Sequence, residues 1–130
     1  MYLSLLLTLF AGLLQAVSIA SPWDGQPAGW LQLLAMTMLA WQLDCSPTPK
    51  QGGLHGWLFA SAWLTGTFWW LYVALHTYGG LAALLAVIAV LVLAALLALY
   101  FSAAAWIFVR LKGTNPWSSA VLFAAAWMLG

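Results

Sequence analysis

The sequence predicts an all-α protein, a polytopic transmembrane helical bundle of four complete spans plus a truncated fifth. Three observations predict it. Hydrophobic types make up 66% of the 130 residues and charged types 4%, where a soluble domain carries roughly a quarter charged. A soluble globule of this size has too little interior for so much apolar surface, and disorder needs the opposite composition. The second observation is spacing. Asp24, Asp44, Lys50, Arg110 and Lys112 carry all the formal charge and leave the runs 1–23, 25–43, 51–109 and 113–130 uncharged. The third is pattern. The apolar runs are continuous, which suits helices and not the alternation of a barrel strand.

The elements follow in order. Span one covers about 2–20. Ser18-Ile19-Ala20 resembles a signal-peptide cleavage site, but Met1 to Ser4 hold no Lys or Arg and the apolar run is too long. A retained first helix is expected. Pro22 and Pro27 lack an N–H and end helices, so the stretch 21–27 is a loop and span two is about 28–43. Pro47, Pro49 and Gly52-Gly53 make the next connector. The uncharged run 51–109 is too long for one crossing of roughly 20 residues and suits two. Its break should be His76-Thr77-Tyr78-Gly79-Gly80, which sets span three at about 54–75 and span four at about 81–109. Span four exceeds the bilayer core and must tilt or project. Gly113-Thr114-Asn115-Pro116 is a turn, Asn115 or Ser118 can cap the next helix, and span five runs from about 118 to 130.

Packing and orientation are also legible. Ala94, Ala98, Ser102 and Ala105 fall on one face of span four, and Gly56, Ala60, Ser61 and Thr65 mark a small face on span three. Small faces let helices approach closely in lipid. Of the 10 tryptophans, Trp23, Trp30, Trp41, Trp57, Trp106 and Trp117 are expected at span ends as headgroup-level anchors. Lys50, Arg110 and Lys112 fall on one side if the helices alternate. Basic residues near span ends stay in the cytoplasm, so the N-terminus is expected inside and the loops 21–27 and 76–80 outside.

Chemistry-bearing residues are scarce. The net charge of +1 offers no field for nucleic acid. Cys45 is the single cysteine and stands beside no activating group. No carboxylate pair, Ser-His-Asp set, metal-ligand cluster or phosphate-binding glycine loop is present, so no catalytic or metal-binding residue is assigned. His55 reads as a structural residue at the cytoplasmic edge. Trp69, Trp70, Tyr72, His76 and Tyr78 cluster at the outer end of span three. Of these, Trp70, Tyr72, His76 and Tyr78 are the candidate lipid-facing rim.

Trp70, Tyr72, Val73, Tyr78, Gly79 and Gly80, within the stretch 66–80, are similar to the third-helix segment of apolipoprotein N-acyltransferases. Ala94 to Tyr100 followed by Arg110-Leu111 resembles the fourth helix of that family, and Ser21-Pro22-Trp23-Asp24 resembles its first outer turn. Ala124 to Leu129 looks like the start of its next helix. The resemblance covers nearly the whole chain, but only the first quarter or so of a family member. It implies a multi-pass protein of the bacterial inner membrane. The family transfers an acyl chain from phospholipid to the N-terminal diacylglyceryl-cysteine of lipoproteins. Its implied partners are the lipid bilayer, a phospholipid donor and a lipoprotein acceptor, and it implies no cofactor. Its chemistry lies in a periplasmic nitrilase-like domain with a catalytic Glu, Lys and Cys, a domain absent from this chain. Cys45 lies outside that segment and is no stand-in. The expectation is therefore a membrane-scaffold fragment, residues 1–130, inactive alone. The alternative is a complete small helical membrane protein acting as a packing or transport subunit, which would want a polar face or an intramembrane charge that span four lacks.

Overall fold

A computed structural model describes residues 2–19 and 23–129. Ala20, Ser21 and Pro22, which belong to the cleavage-like motif and the first outer turn, lie outside the described residues. The described chain folds as helices: α1 Tyr2–Ile19, α2 Gly29–Asp44, α3 Pro49–Thr67, α4 Trp69–Val73, a π-helical turn Ala74–Tyr78, α5 Ala83–Leu111 and α6 Pro116–Leu129. On length and composition, α1 and α5 are able to cross a membrane. The pair α3 and α4 with its π turn makes a third crossing if its 50° bend sits within one span. With 16 residues in α2 and 14 in α6, these two are shorter than a full crossing.

Span three differs most from expectation. Its helix begins at Pro49, because Pro at the first turn needs no N–H partner and Thr48 caps it by accepting from the Gln51 amide. Its outer end does not stop at Leu75. Helical turns continue to Tyr78, so His76, Thr77 and Tyr78 lie in the π turn and the chain reverses at Gly79–Ala82. The last helix is capped by Asn115, whose Oδ1 accepts from the Trp117 amide at 3.0 Å. Ser118 donates to the Asn115 carbonyl instead.

Close approach of α3 to α5 organises the bundle. Ala94, Ala98 and Ala105 are buried, and Ser102 donates to the Gly53 carbonyl at 2.9 Å. The expected small stripe is thus the α5 side of the contact. The α3 side is Gly52, Gly53, Gly56, Ala60 and Leu64. Ser61 and Thr65 are only partly buried, since they sit more than a quarter turn away from that face. A Cβ on Gly56 would lie 2.5 Å from the Ala105 Cβ and 2.9 Å from the Phe101 carbonyl oxygen. On the other side of α3, Gly12 of α1 lies over the Phe59 carbonyl, and Gly66 faces Ala16.

Aromatic rings fill the layer beside this contact. Phe59 meets Trp127 edge-on at 5.6 Å, and Trp63 meets Phe101 at 5.4 Å. Phe123 meets Phe108 of α5 edge-on at 5.5 Å and ties α6 to the bundle. Trp57 was expected at a span end. It is partly buried and donates its indole N–H to the Ala95 carbonyl at 3.0 Å. Trp23, Trp30, Trp41 and Trp117 are exposed, as anchors would be. At one end of the bundle the Lys112 ammonium meets the carbonyls of Leu43, Asp44 and Ser46. Leu43 and Asp44 end α2 and Ser46 follows it, so the ammonium sits at the C-terminus of that helix, where a cation is favoured by the helix dipole. The helices alternate in direction, so Lys50, Arg110 and Lys112 share this basic end and Asp24 stands at the other.

Candidate functional site

The rim is built where α3 breaks. Thr67 returns its hydroxyl to the Trp63 carbonyl at 2.9 Å, a bond that bends helices. Phe68 leaves the helical region at φ −85° and ψ 15°, and α4 departs at 50°. The π turn then adds a residue to the coil. The Gly79 amide reaches the Ala74 carbonyl at 2.9 Å and the Leu81 amide reaches Leu75 at 3.0 Å. Gly80 has φ +66°, the left-handed position that closes a helix end and that glycine adopts without a Cβ penalty.

This turn chemistry aligns three rings. Trp69 stacks on Tyr72 at 4.9 Å, and Tyr72 stacks on His76 at 5.6 Å. His76 Nδ1–H donates to the Leu81 carbonyl at 2.8 Å, which fixes the ring and leaves Nε2 at the surface. Beneath the stack Thr65, Trp69 and Tyr72 face Val87, Val90 and Leu91 of α5 across a crevice of about 60 Å³. Of the four rim residues read from the sequence, the fold brings Tyr72 and His76 together, with Trp69. Trp70 is exposed on a neighbouring face of the turn, and Tyr78 is 86% exposed at its tip. Both stand outside the stack.

A second cluster lies near the basic end, and only its histidine was singled out in the sequence. Gln42 donates to the Ser4 carbonyl at 3.1 Å, and the Ser4 hydroxyl donates to Gln42 Oε1 at 2.6 Å. With that proton committed, the Ser4 oxygen accepts from His55 Nε2–H at 3.3 Å. His55 Nδ1 then accepts from Thr8 at 2.7 Å, with the Ser4 carbonyl as the second acceptor of that hydroxyl at 2.9 Å. The tautomer is assigned from this pattern. The arrangement is not a nucleophile and base: the Ser4 proton points to an amide, not to the imidazole. It satisfies His55 between three helices, in line with the structural role expected of it. The signal that would have found its partners is the polar stripe Ser4, Thr8, Gln15 and Ser18 along one face of an otherwise apolar α1. Polar residues inside a span turn toward the bundle. Among the described residues no group of three or more His, Cys, Asp or Glu gathers to hold a metal.

Residues 11–130 match the family model of the apolipoprotein N-acyltransferase N-terminal domain. The chain belongs to the apolipoprotein N-acyltransferase family. An apolipoprotein N-acyltransferase of Verminephrobacter eiseniae is 50% identical over 125 residues, which cover 93% of this chain and 23% of the relative. One from Ralstonia nicotianae is 37% identical over 77% of this chain and 20% of the relative. One from Pseudomonas putida is 33% identical over 95% of this chain and 24% of the relative. The chain thus spans about a quarter of the length of these apolipoprotein N-acyltransferases, their N-terminal domain. Helices apolar enough to cross a membrane, together with these bacterial relatives, point to a bacterial inner-membrane protein.

Proposed function

We propose that this chain is the membrane scaffold of an enzyme that moves an acyl chain from phospholipid to the N-terminal diacylglyceryl-cysteine of a lipoprotein. The observation that carries the reading is the match of residues 11–130 to the N-terminal domain of the family. In this reading α1, α2, the bent pair α3 and α4, and α5 make four crossings, and α6 begins a fifth. The nucleophile and its base belong to a nitrilase-like domain outside residues 1–130. The scaffold's contribution is the rim: Tyr72 and His76 in their stack, with Trp70 and Tyr78 beside them, form the amphipathic edge along which lipid approaches. Exposed rings with one polar tip suit that depth in a bilayer.

An acyl-transfer assay from phospholipid to lipopeptide tests it. The 130-residue chain alone should give no turnover above a protein-free blank. Acyl transfer needs an activated nucleophile and oxyanion donors. The Asp24 end presents Asp24 and His76, but Cys45, the sole cysteine, lies at the opposite end. In a full-length protein carrying this segment, Trp70→Ala or His76→Ala should lower the rate about tenfold or less, near 1.4 kcal/mol of barrier. Turnover by the isolated chain would refute the scaffold reading. A loss as deep as that from removing the catalytic cysteine, at equal protein level, would assign the rim a larger role.

The proposed orientation places the N-terminus in the cytoplasm, supported by Lys50, Arg110 and Lys112 at one end. In a Cys45→Ser background, single cysteines at Gln26 and Thr77 should react with an impermeant maleimide added to intact spheroplasts. Reaction only after the membrane is opened would reverse the orientation.

A further inference from the structure

We propose that a groove at the basic end, between the start of α1 and the end of α2, holds a glycerophospholipid by its ester and glycerol oxygens. The groove lies at the opposite end from the rim, and the inference does not rest on the acyl-transfer reading. Its volume is about 310 Å³, room for about ten waters at ~30 Å³ each. That accommodates a glycerol with its ester groups and is too small for another helix. Its lining is part apolar, from Leu3, Leu7 and Trp41, and part polar, the polar wall being Gln42, Ser46 and His55. These three polar side chains are 5%, 5% and 8% exposed, so the wall is held by packing and not by solvent.

The wall carries no charge, and most of its donors are already committed. A primary amide has two N–H groups, and Gln42 commits one to the Ser4 carbonyl. The Ser46 hydroxyl proton is already bound to the Gln42 carbonyl at 2.8 Å. The other N–H of Gln42 and the exposed amide of Gln51 therefore remain to serve an acceptor in the groove. The nearby Lys112 ammonium is occupied by three backbone carbonyls, so it does not draw a phosphate into this space. Neutral donors in a partly apolar lining fit an ester carbonyl, not an ionised group. Depth agrees. Trp41 is 60% exposed near the end of α2, and an indole there sits at the headgroup boundary, beside the ester layer of the leaflet. Leu3 and Leu7 then continue toward the hydrocarbon as a track for the acyl chain.

Cys45 lines the same groove and is exposed, which supplies the readout. The chain in decyl maltoside micelles is treated with a small maleimide, and alkylation of Cys45 is followed by peptide mass mapping as dioleoyl phosphatidylcholine is added. The rate should fall saturably, to about one tenth when lipid reaches ten times its dissociation constant. The dialkyl ether analogue with the same headgroup lacks the ester carbonyls and should leave more than half the rate. Gln51→Leu, a change at an exposed position, should weaken protection several-fold, and Gln42→Leu should weaken it further in protein that keeps wild-type protease resistance. An unchanged rate across the diester titration overturns the proposal. So does equal protection by the ether lipid, or wild-type protection in Gln51→Leu.

Discussion

Replacing Gly56 by leucine, or Ala98 by tryptophan, should force α3 and α5 apart and lower the unfolding midpoint of the protein in detergent. Ala98 is fully buried beside Ala60, Leu64 and Ala94. At Gly56 even a single Cβ would lie 2.5 Å from Ala105, inside van der Waals contact, and the helix backbone across the interface has no flexible end to give way. Overpacking of a tight core costs about 1–3 kcal/mol per site. In lipid that cost is not recovered by burying the new side chain, because lipid tails are as apolar as the interior. What is lost is dispersion along the whole contact and the Ser102 bond to Gly53. Leu96→Ile is the control, since Leu96 is exposed to the surroundings. Equal midpoints and equal protease resistance for all three variants would sink the claim that this contact organises the bundle.

The second large effect is an asymmetry at His55. His55→Leu alone should destabilise the fold by about 1–3 kcal/mol, the cost of leaving buried polar partners unpaired. The imidazole bridges Thr8 and Ser4 of α1, and Ser4 is in turn bonded to Gln42 of α2. Its removal leaves the Ser4 hydroxyl oxygen without its donor and leaves the Thr8 hydroxyl only the Ser4 carbonyl as acceptor. The combined variant Ser4→Ala, Thr8→Val, Gln42→Leu and His55→Leu removes every partner at once and should recover most of that loss. Urea or thermal unfolding in one detergent measures both. A combined variant worse than the sum of its single changes would show that the network contributes more than pairwise satisfaction.

Much of this architecture was legible before any coordinates. α1 and α5 are long and apolar, Pro, Gly or charge marks most of the connectors, and the backbone in lipid has no other way to satisfy itself. The stripe Ala94, Ala98, Ser102 and Ala105 was visible because residues three and four apart share a helix face. The basic residues fall at one end because successive helices run in opposite directions. Those readings concern one helix at a time.

Tertiary structure decided the rest, and the reason is sequence separation. Periodicity does not show that Ser4 meets Gln42 and His55, because those bonds join positions 38 and 51 apart. Nor does it show that Lys112 reaches the Leu43 carbonyl, 69 residues away. The small face read on span three held Gly56 and Ala60, but the contact runs on through Gly52 and Gly53 and not through Ser61 and Thr65, because glycines carry no hydropathy signal yet let a backbone approach. The rim is the same case. Composition placed aromatic residues near the end of span three. The break at Phe68, the 50° bend and the π turn chose Trp69, Tyr72 and His76 for the stack and left Trp70 and Tyr78 beside it. A one-residue change in helical register rotates a side chain by about 100°, and only the folded backbone determines where that change occurs.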